Sequence, residues 1–314
     1  MDIFDPQLEP IFAFAIFLFG LAFGSFLNVV IYRVPRRKSV VLPHSACPSC
    51  GAAIAPYDNI PVFSWLVLQG RCRKCKTHIS ARYLLVELLT ASLFLAVFLE
   101  FGPTLETLKY CIFTFLLLGL IFIDAEHKLL PDRLTLPGLI LGILFSLFVP
   151  VQPLLTLIMP VRWFDLPPAI MVSTVSLVEA LLGAGISALL LFAVGEVYFR
   201  LRHVEGMGFG DVKLMAMVGA FLGTKLGLFV IFAGSLLGSV FGVAVIFFIW
   251  QKRAKRWREL RKLPPREARQ RAWRSAGAAY QRFQIPFGVF LGSMAIAAVF
   301  VGEPVMQWYW GFFR

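Results

Sequence analysis

Long apolar runs, broken by short charged stretches, dominate the 314-residue chain. Eight of them approach the ~20 residues that a helix needs to cross a bilayer. They cover 11–32, 83–101, 107–123, 134–149, 177–199, 212–224, 226–249 and 285–302. The sixth, Val212 to Gly223, is short and glycine-rich, and needs neighbouring helices to shield its ends. The segment 150–176 holds Pro150, Pro153, Pro160, Pro167 and Pro168, so it cannot be one straight helix. It reads as an external loop with an interfacial piece around Trp163. The pattern predicts an all-α polytopic membrane protein of about eight transmembrane helices.

Composition agrees. Hydrophobic residues make up 59% of the chain and charged residues 15%, with a mean hydropathy of +0.78. A soluble domain carries about 25% charged residues. A water-soluble enzyme, a nucleic-acid-binding globule and a disordered chain are excluded, despite the net charge of +12. With eight spans, the loops 33–82, 124–133, 200–211 and 250–284 share one side. Together with Lys213 at the membrane edge they hold 26 of the 30 Lys and Arg. The other side has Lys109, Arg162, Lys225 and Arg314. That asymmetry places the basic loops in the cytoplasm and both termini outside. Merging two spans would put the last basic loop on the wrong side. The first five residues, Met1 to Asp5, are acidic and lack the basic region of a signal peptide, so the first run reads as a retained span. The chain divides into a first span (1–32), a cytoplasmic loop domain (33–82), a membrane core (83–249), a basic segment (250–284) and a last span with its tail (285–314). The basic segment, with Trp257 and Trp273, reads as a solvated or headgroup-facing helix held by anionic lipid.

Four of the five cysteines lie in the first cytoplasmic loop as Cys47-Pro48-Ser49-Cys50 and Cys72-Arg73-Lys74-Cys75. Two C-x-x-C pairs supply four thiolates in a tetrahedron, which suits structural zinc and makes the loop a small zinc-ribbon-like domain. Disulfides are disfavoured in a reducing cytoplasm. Four sulfur ligands leave no open position, so the metal organises structure instead of activating water. Cys111 reads as core packing, and His44 and His78 as solvated side chains.

Ionisable groups in spans are costly, so each needs an explanation. Asp124 ends the third run and Asp211 opens the sixth, after Gly206, Gly208 and Gly210. The topology puts both at the same membrane face. Two carboxyls meeting there can share one proton, one activating water while the other polarises a carbonyl. The glycines let the backbone bend and a substrate strand approach. Asp132, after Pro131, reads as an N-cap. Glu179 and Glu196 read as hydrated at span ends, and Glu87 as held by neighbours such as Arg82 and Tyr83.

In order along the chain come Gly24-Ser25-Phe26-Leu27-Asn28 and the C-x-x-C pairs, then Arg82-Tyr83 through Glu87. Asp124 with Leu130-Pro131-Asp132 follows, then Gly208-Phe209-Gly210-Asp211 with Lys213, and Ile285-Pro286-Phe287-Gly288. This ordered set resembles the type IV prepilin peptidases, a family of intramembrane aspartic proteases, over nearly the whole chain. The resemblance implies cleavage of a basic leader from prepilins and pseudopilins at the cytoplasmic face of a bacterial inner membrane, with both termini periplasmic. It implies Asp124 and Asp211 as the catalytic pair and Cys47, Cys50, Cys72 and Cys75 as zinc ligands. In many bacterial members it also implies methylation of the new N-terminus with S-adenosylmethionine. That activity belongs to the N-terminal part, where Arg82, Tyr83 and Glu87 lie. The chain departs from the family where it has Leu84 and Val289 in place of frequent prolines, which read as packing changes, and in its longer basic segment 250–284.

Three other readings compete. One is a peptidase without methyl transfer, since no glycine-rich cofactor signature is present. Another is an ion-coupled transporter using the aspartates as a relay, although relay acids tend to lie near mid-bilayer and these lie at one face. The last is a scaffold whose zinc loop binds a partner.

Overall fold

In the computed structural model, the described residues are 8–151, 154, 167–203, 208–261, 264–281 and 286–311. They form helices α1 (Glu9–Arg33), α2 (Phe63–Val67), α3 (Arg82–Phe101), α4 (Leu105–His127), α5 (Asp132–Phe145), α6 (Pro168–Arg202), α7 (Phe209–Arg261), α8 (Pro265–Gln281) and α9 (Phe287–Gly311). No strand occurs among the described residues, only the isolated bridges Ala46–Ala53 and Arg71–His78. Six helices, α1, α3, α4, α6, α7 and α9, are long and apolar enough to cross a membrane. The chain is a multi-pass membrane protein.

The eight expected runs map onto seven helices, because two of them form the 53-residue α7. That helix breaks at Gly223, where φ is 80° and ψ is 179°. A Cβ on Gly227 would lie 3.5 Å from the Cα of Gly219. Eight residues of straight helix span about 12 Å, so the chain reverses at Gly223 into two limbs, 209–222 and 224–261. The positive φ there is the conformation that glycine tolerates. The fourth run, α5, has 14 residues, about 21 Å of helix, and is shorter than a full crossing. The sequence reading also placed 168–176 in a loop, whereas α6 begins at Pro168. A proline at a helix start costs no hydrogen bond, so the Pro167-Pro168 pair opens the helix and does not prevent it. Trp163 and Arg162 lie outside the described residues.

Close backbone approach sets the register of the bundle. Gly20 and Gly24 of α1 face Ala91 and Glu87 of α3, where an added Cβ would come within 2.6 Å of each Cα. This is the small-xxx-small arrangement by which membrane helices interlock without a hydrophobic driving force between them. Gly183 of α6 and Gly219 of α7 meet backbone to backbone. On the first limb, Gly142 of α5 sits against Phe221 and Ala220, and Gly138 against Met217. On the second limb, Gly234 and Gly238 meet Leu291 and Phe290 of α9. A shared core of Leu27, Ile31, Phe113, Leu117, Met217 and Leu291 fills the middle, and Phe113 stacks on Phe221 at 4.6 Å.

Polar pairs gather at both ends. At one end, Lys225 pairs with Glu303 at 2.8 Å. Nearby, Glu179 accepts bonds from the Thr224 hydroxyl (3.0 Å) and the Leu154 amide (2.7 Å). Glu179 is 1% exposed, so the expectation of a hydrated carboxylate is corrected: protein donors replace the water. The basic segment is a helical hairpin and not a single helix. Beyond residue 250 the second limb is met by α8, with the Trp250 indole donating to Arg269 O at 3.2 Å and Trp250 packed edge-on to Trp273.

The Gly183–Gly219 contact predicts that Gly219→Leu, which drives a side chain into the α6 backbone, destabilises the protein by at least ~3 kcal/mol. Gly185 has open space around its Cβ position, and Gly185→Ala is expected within ~0.5 kcal/mol of the parent. Thermal unfolding in detergent compares the two.

Candidate active site and metal centre

Asp124 occupies the last turn of α4. The helix closes on Lys128 in the left-handed conformation (φ 53°), and the Lys128 amide donates to Asp124 O at 2.8 Å. The turn delivers Leu130, and α5 starts at Asp132. Asp211 lies in the first turn of α7, its amide donating to Gly208 O at 3.1 Å. Leu130 joins the elements. A Cβ on Gly210 would lie 2.9 Å from Leu130 Cβ, and one on Gly288 would lie 3.0 Å from Leu130 Cδ1 and 2.9 Å from Asp124 Oδ2. The ends of α4, α7 and α9 therefore converge on one point. Asp124 and Asp211 are both buried, at 5% and 9% exposed.

The first turn of α9 completes this cluster. The Val289 amide donates to Asp124 Oδ2 at 3.1 Å. A helix N-terminus presents unpaired N–H groups and a positive dipole end, which suit a carboxylate. Reading Val289 as a packing change is therefore corrected, because a proline there would have no N–H to give. Two ion pairs flank the carboxyls. Lys213 Nζ lies 2.6 Å from Asp132 Oδ1, and Arg82 pairs with Glu126, two residues beyond Asp124. Asp132 is not the N-cap expected of it. Pro131 holds that position, and the side chain of Asp132 turns to Lys213. Gly210 serves close packing on Leu130, and Gly206 lies outside the described residues.

The four loop cysteines also meet. Their Sγ atoms lie within 4.8 Å of one another, and Cys47 Sγ is 3.8 Å from Cys75 Sγ. Zn–S bonds of about 2.3 Å place tetrahedral sulfurs about 3.8 Å apart, so the set fits one zinc ion. The two knuckles share a backbone pattern. Gly51 N donates to Cys47 O at 2.9 Å and Lys76 N to Cys72 O at 3.0 Å, both from residues at positive φ. The Thr77 hydroxyl, 3.3 Å from Cys75 Sγ, pulls that thiol down to about 6, toward the thiolate that binds metal. Arg73 grips Asp58 through two bonds of 2.8 and 2.6 Å, fastening the second knuckle to the segment after the first. Cys111 is buried against Phe94 and Val97, as expected of a core thiol.

The region of Arg82, Tyr83 and Glu87 is held differently from the sequence expectation. Glu87 is buried and accepts from the Val62 amide at 2.7 Å, not from Arg82. Val62 has φ 61° and ψ −55°, and the Phe63 amide closes on Pro61 O, a γ-turn costing about 1–3 kcal/mol for such a residue. The Tyr83 carbonyl accepts from Asn28 Nδ2 at 3.0 Å, tying α1 to α3.

The chain was compared with known proteins. A model described as the bacterial Peptidase A24 N-terminal domain matches residues 18–101. A second, the type IV leader peptidase family, matches residues 111–243. Among curated relatives, the prepilin leader peptidase/N-methyltransferase of Aeromonas salmonicida is 34% identical over 319 residues, covering 94% of this chain and 92% of its own length. The chain belongs to the type IV leader peptidase family. Proteins with that same printed name from Myxococcus xanthus (39% identical; 76% of this chain, 64% of the relative) and Pseudomonas aeruginosa (37%; 75% and 81%) are also similar. No solved structure matches.

For this family member, sequence reasoning missed Leu130 as the spacer of the cluster and the Val289 amide. The Pro286-Phe287-Gly288 run marked the place, but the hydrogen bond depends on where α9 docks.

Purified protein is expected to carry one metal ion per chain by atomic emission. Cys72→Ser should lower that stoichiometry several-fold. Full occupancy in the variant would reject a four-sulfur site.

Proposed function

We propose that this protein cleaves the basic leader from prepilins and pseudopilins at the cytoplasmic face of a bacterial inner membrane, with Asp124 and Asp211 as its catalytic pair. The observation that carries this reading is that two buried carboxyls, from helices far apart in the chain, sit at helix ends that converge on Leu130. One carboxylate takes a proton from water while the other, protonated, donates to the scissile carbonyl. The Val289 amide orients Asp124, and the Leu130 packing fixes the spacing of the helix ends. Both carboxyls lie at a helix end beside Arg82–Glu126 and Lys213–Asp132, which argues against a mid-membrane proton relay.

The reading includes eight crossings, with α5 and the two limbs of α7 counted separately, and both termini periplasmic. The acids Glu126 and Asp132 beside the aspartate pair are each engaged by a cation and are not free to draw a basic leader. Anionic lipid then supplies the attraction. Zinc in the four-cysteine site holds the loop in shape.

The names of the relatives support a second activity, N-methylation of the new N-terminal residue by the N-terminal part of the chain. When bound, S-adenosylmethionine would supply an activated methyl group for that amine.

Asp124→Asn and Asp211→Asn, made singly, are each expected to lower prepilin cleavage in membranes by at least about a thousandfold. Full processing by either variant would remove the aspartate mechanism. Mass spectrometry of the processed N-terminus reads methylation, and a consistently unmethylated amine would leave a peptidase alone.

A further inference from the structure

A cleft of about 350 Å³ lies between the C-terminal half of α1 and the cysteine loop. Ala22, Ser25, Phe26, Val29 and Arg33, spaced as one helical stripe, form one wall, and loop residues 40–45, 59 and 61 form the other. The volume falls in the range of about 300–1,000 Å³ typical of small-molecule sites. The aspartate mechanism uses none of these residues.

The chemistry of the walls is divided. Phe26, Val29, Val40 and Val41 offer an aromatic and aliphatic surface suited to a purine. Arg33 brings a cation whose guanidinium is already oriented by Ser39 O (3.0 Å) and Pro43 O (2.7 Å), and so suits a carboxylate. Ser45 and Asn59 supply hydroxyl and amide groups of the kind that bind a ribose. Ser25 adds a further hydroxyl on the α1 wall. Three residues along α1, Asn28 Oδ1 is buried with no hydrogen-bond partner among the described residues. Pro61, in the opposite wall, precedes the strained Val62 turn that Glu87 holds in place. Such strain persists where the surroundings fix it, and it clusters at ligand sites.

We propose that this cleft binds S-adenosylmethionine, with Arg33 on its carboxylate, Phe26 and Val29 against its adenine, and Ser45 and Asn59 toward its ribose. The inference deepens the methyl-transfer reading and rests on it. The Arg82–Glu126 pair ties the N-terminal helices to the helix bearing Asp124.

The test uses full-length protein in detergent. Tritiated S-adenosylmethionine is crosslinked by ultraviolet light, the labelled peptides are mapped, and equilibrium binding is measured with S-adenosylhomocysteine as competitor. Arg33→Gln and Ala22→Trp are compared with the parent, with metal content and thermal unfolding as checks of folding. The expected result is competable label within 22–33 or 40–61 and binding at least tenfold weaker in both variants. Label confined to other segments, with both folded variants binding like the parent, overturns the cleft and leaves methyl transfer standing. A parent that cleaves prepilin but neither binds nor methylates overturns the methyl-transfer reading, and this proposal with it. If a variant fails to fold, the crosslink map of the parent decides alone.

Discussion

Helices inside a bilayer gain no hydrophobic advantage by pairing with each other, so close packing must hold them. Here that packing is made where glycine lets one backbone touch another: Gly20 and Gly24 on α3, Gly183 on Gly219, and Gly210 and Gly288 around Leu130. Each contact fixes a register, because any side chain there would push the helices apart. The aspartate cluster depends on the last of them. If Gly210 or Gly288 stood off Leu130, the ends of α4, α7 and α9 would no longer share one point, and Asp124 would lose the Val289 amide.

Polar groups in such a bundle cannot rely on water, and nearly all those described here find protein partners at one end or the other. Glu179 with Thr224, and Lys225 with Glu303, close the end where the chain reverses at Gly223. Asp132 with Lys213, and Glu126 with Arg82, flank the aspartates at the opposite end. The Glu179–Thr224 contact is buried and costly to break, whereas the Lys213–Asp132 and Arg82–Glu126 pairs are more exposed and hold the helix ends less firmly. The Arg82–Glu126 pair also connects the two halves matched by separate family models.

The cysteine loop is too small to bury a core of its own, so its shape must come from ligands and clamps. Two knuckles with matching backbone bonds bring four sulfurs together, Arg73 and Asp58 fasten them, and Glu87 anchors the loop to α3 through Val62. Pro61, next to that anchor, lines the cleft beside α1.

Hydropathy by itself fixed the all-helical membrane class, because apolar runs of this length have no other stable placement. Charge asymmetry set the expected sidedness, and the C-x-x-C spacing announced the metal set, because ligand chemistry is written locally. The two aspartates were conspicuous for the cost of placing them at membrane helix ends. Tertiary structure alone decided the rest. Whether 209–261 runs straight or doubles back at Gly223, whether Asp132 caps a helix or pairs with Lys213, and whether Val289 packs or donates to Asp124 all turn on contacts between residues far apart in the chain. No local pattern encodes such distances. They exist only once glycine contacts have set how the helices slide past one another.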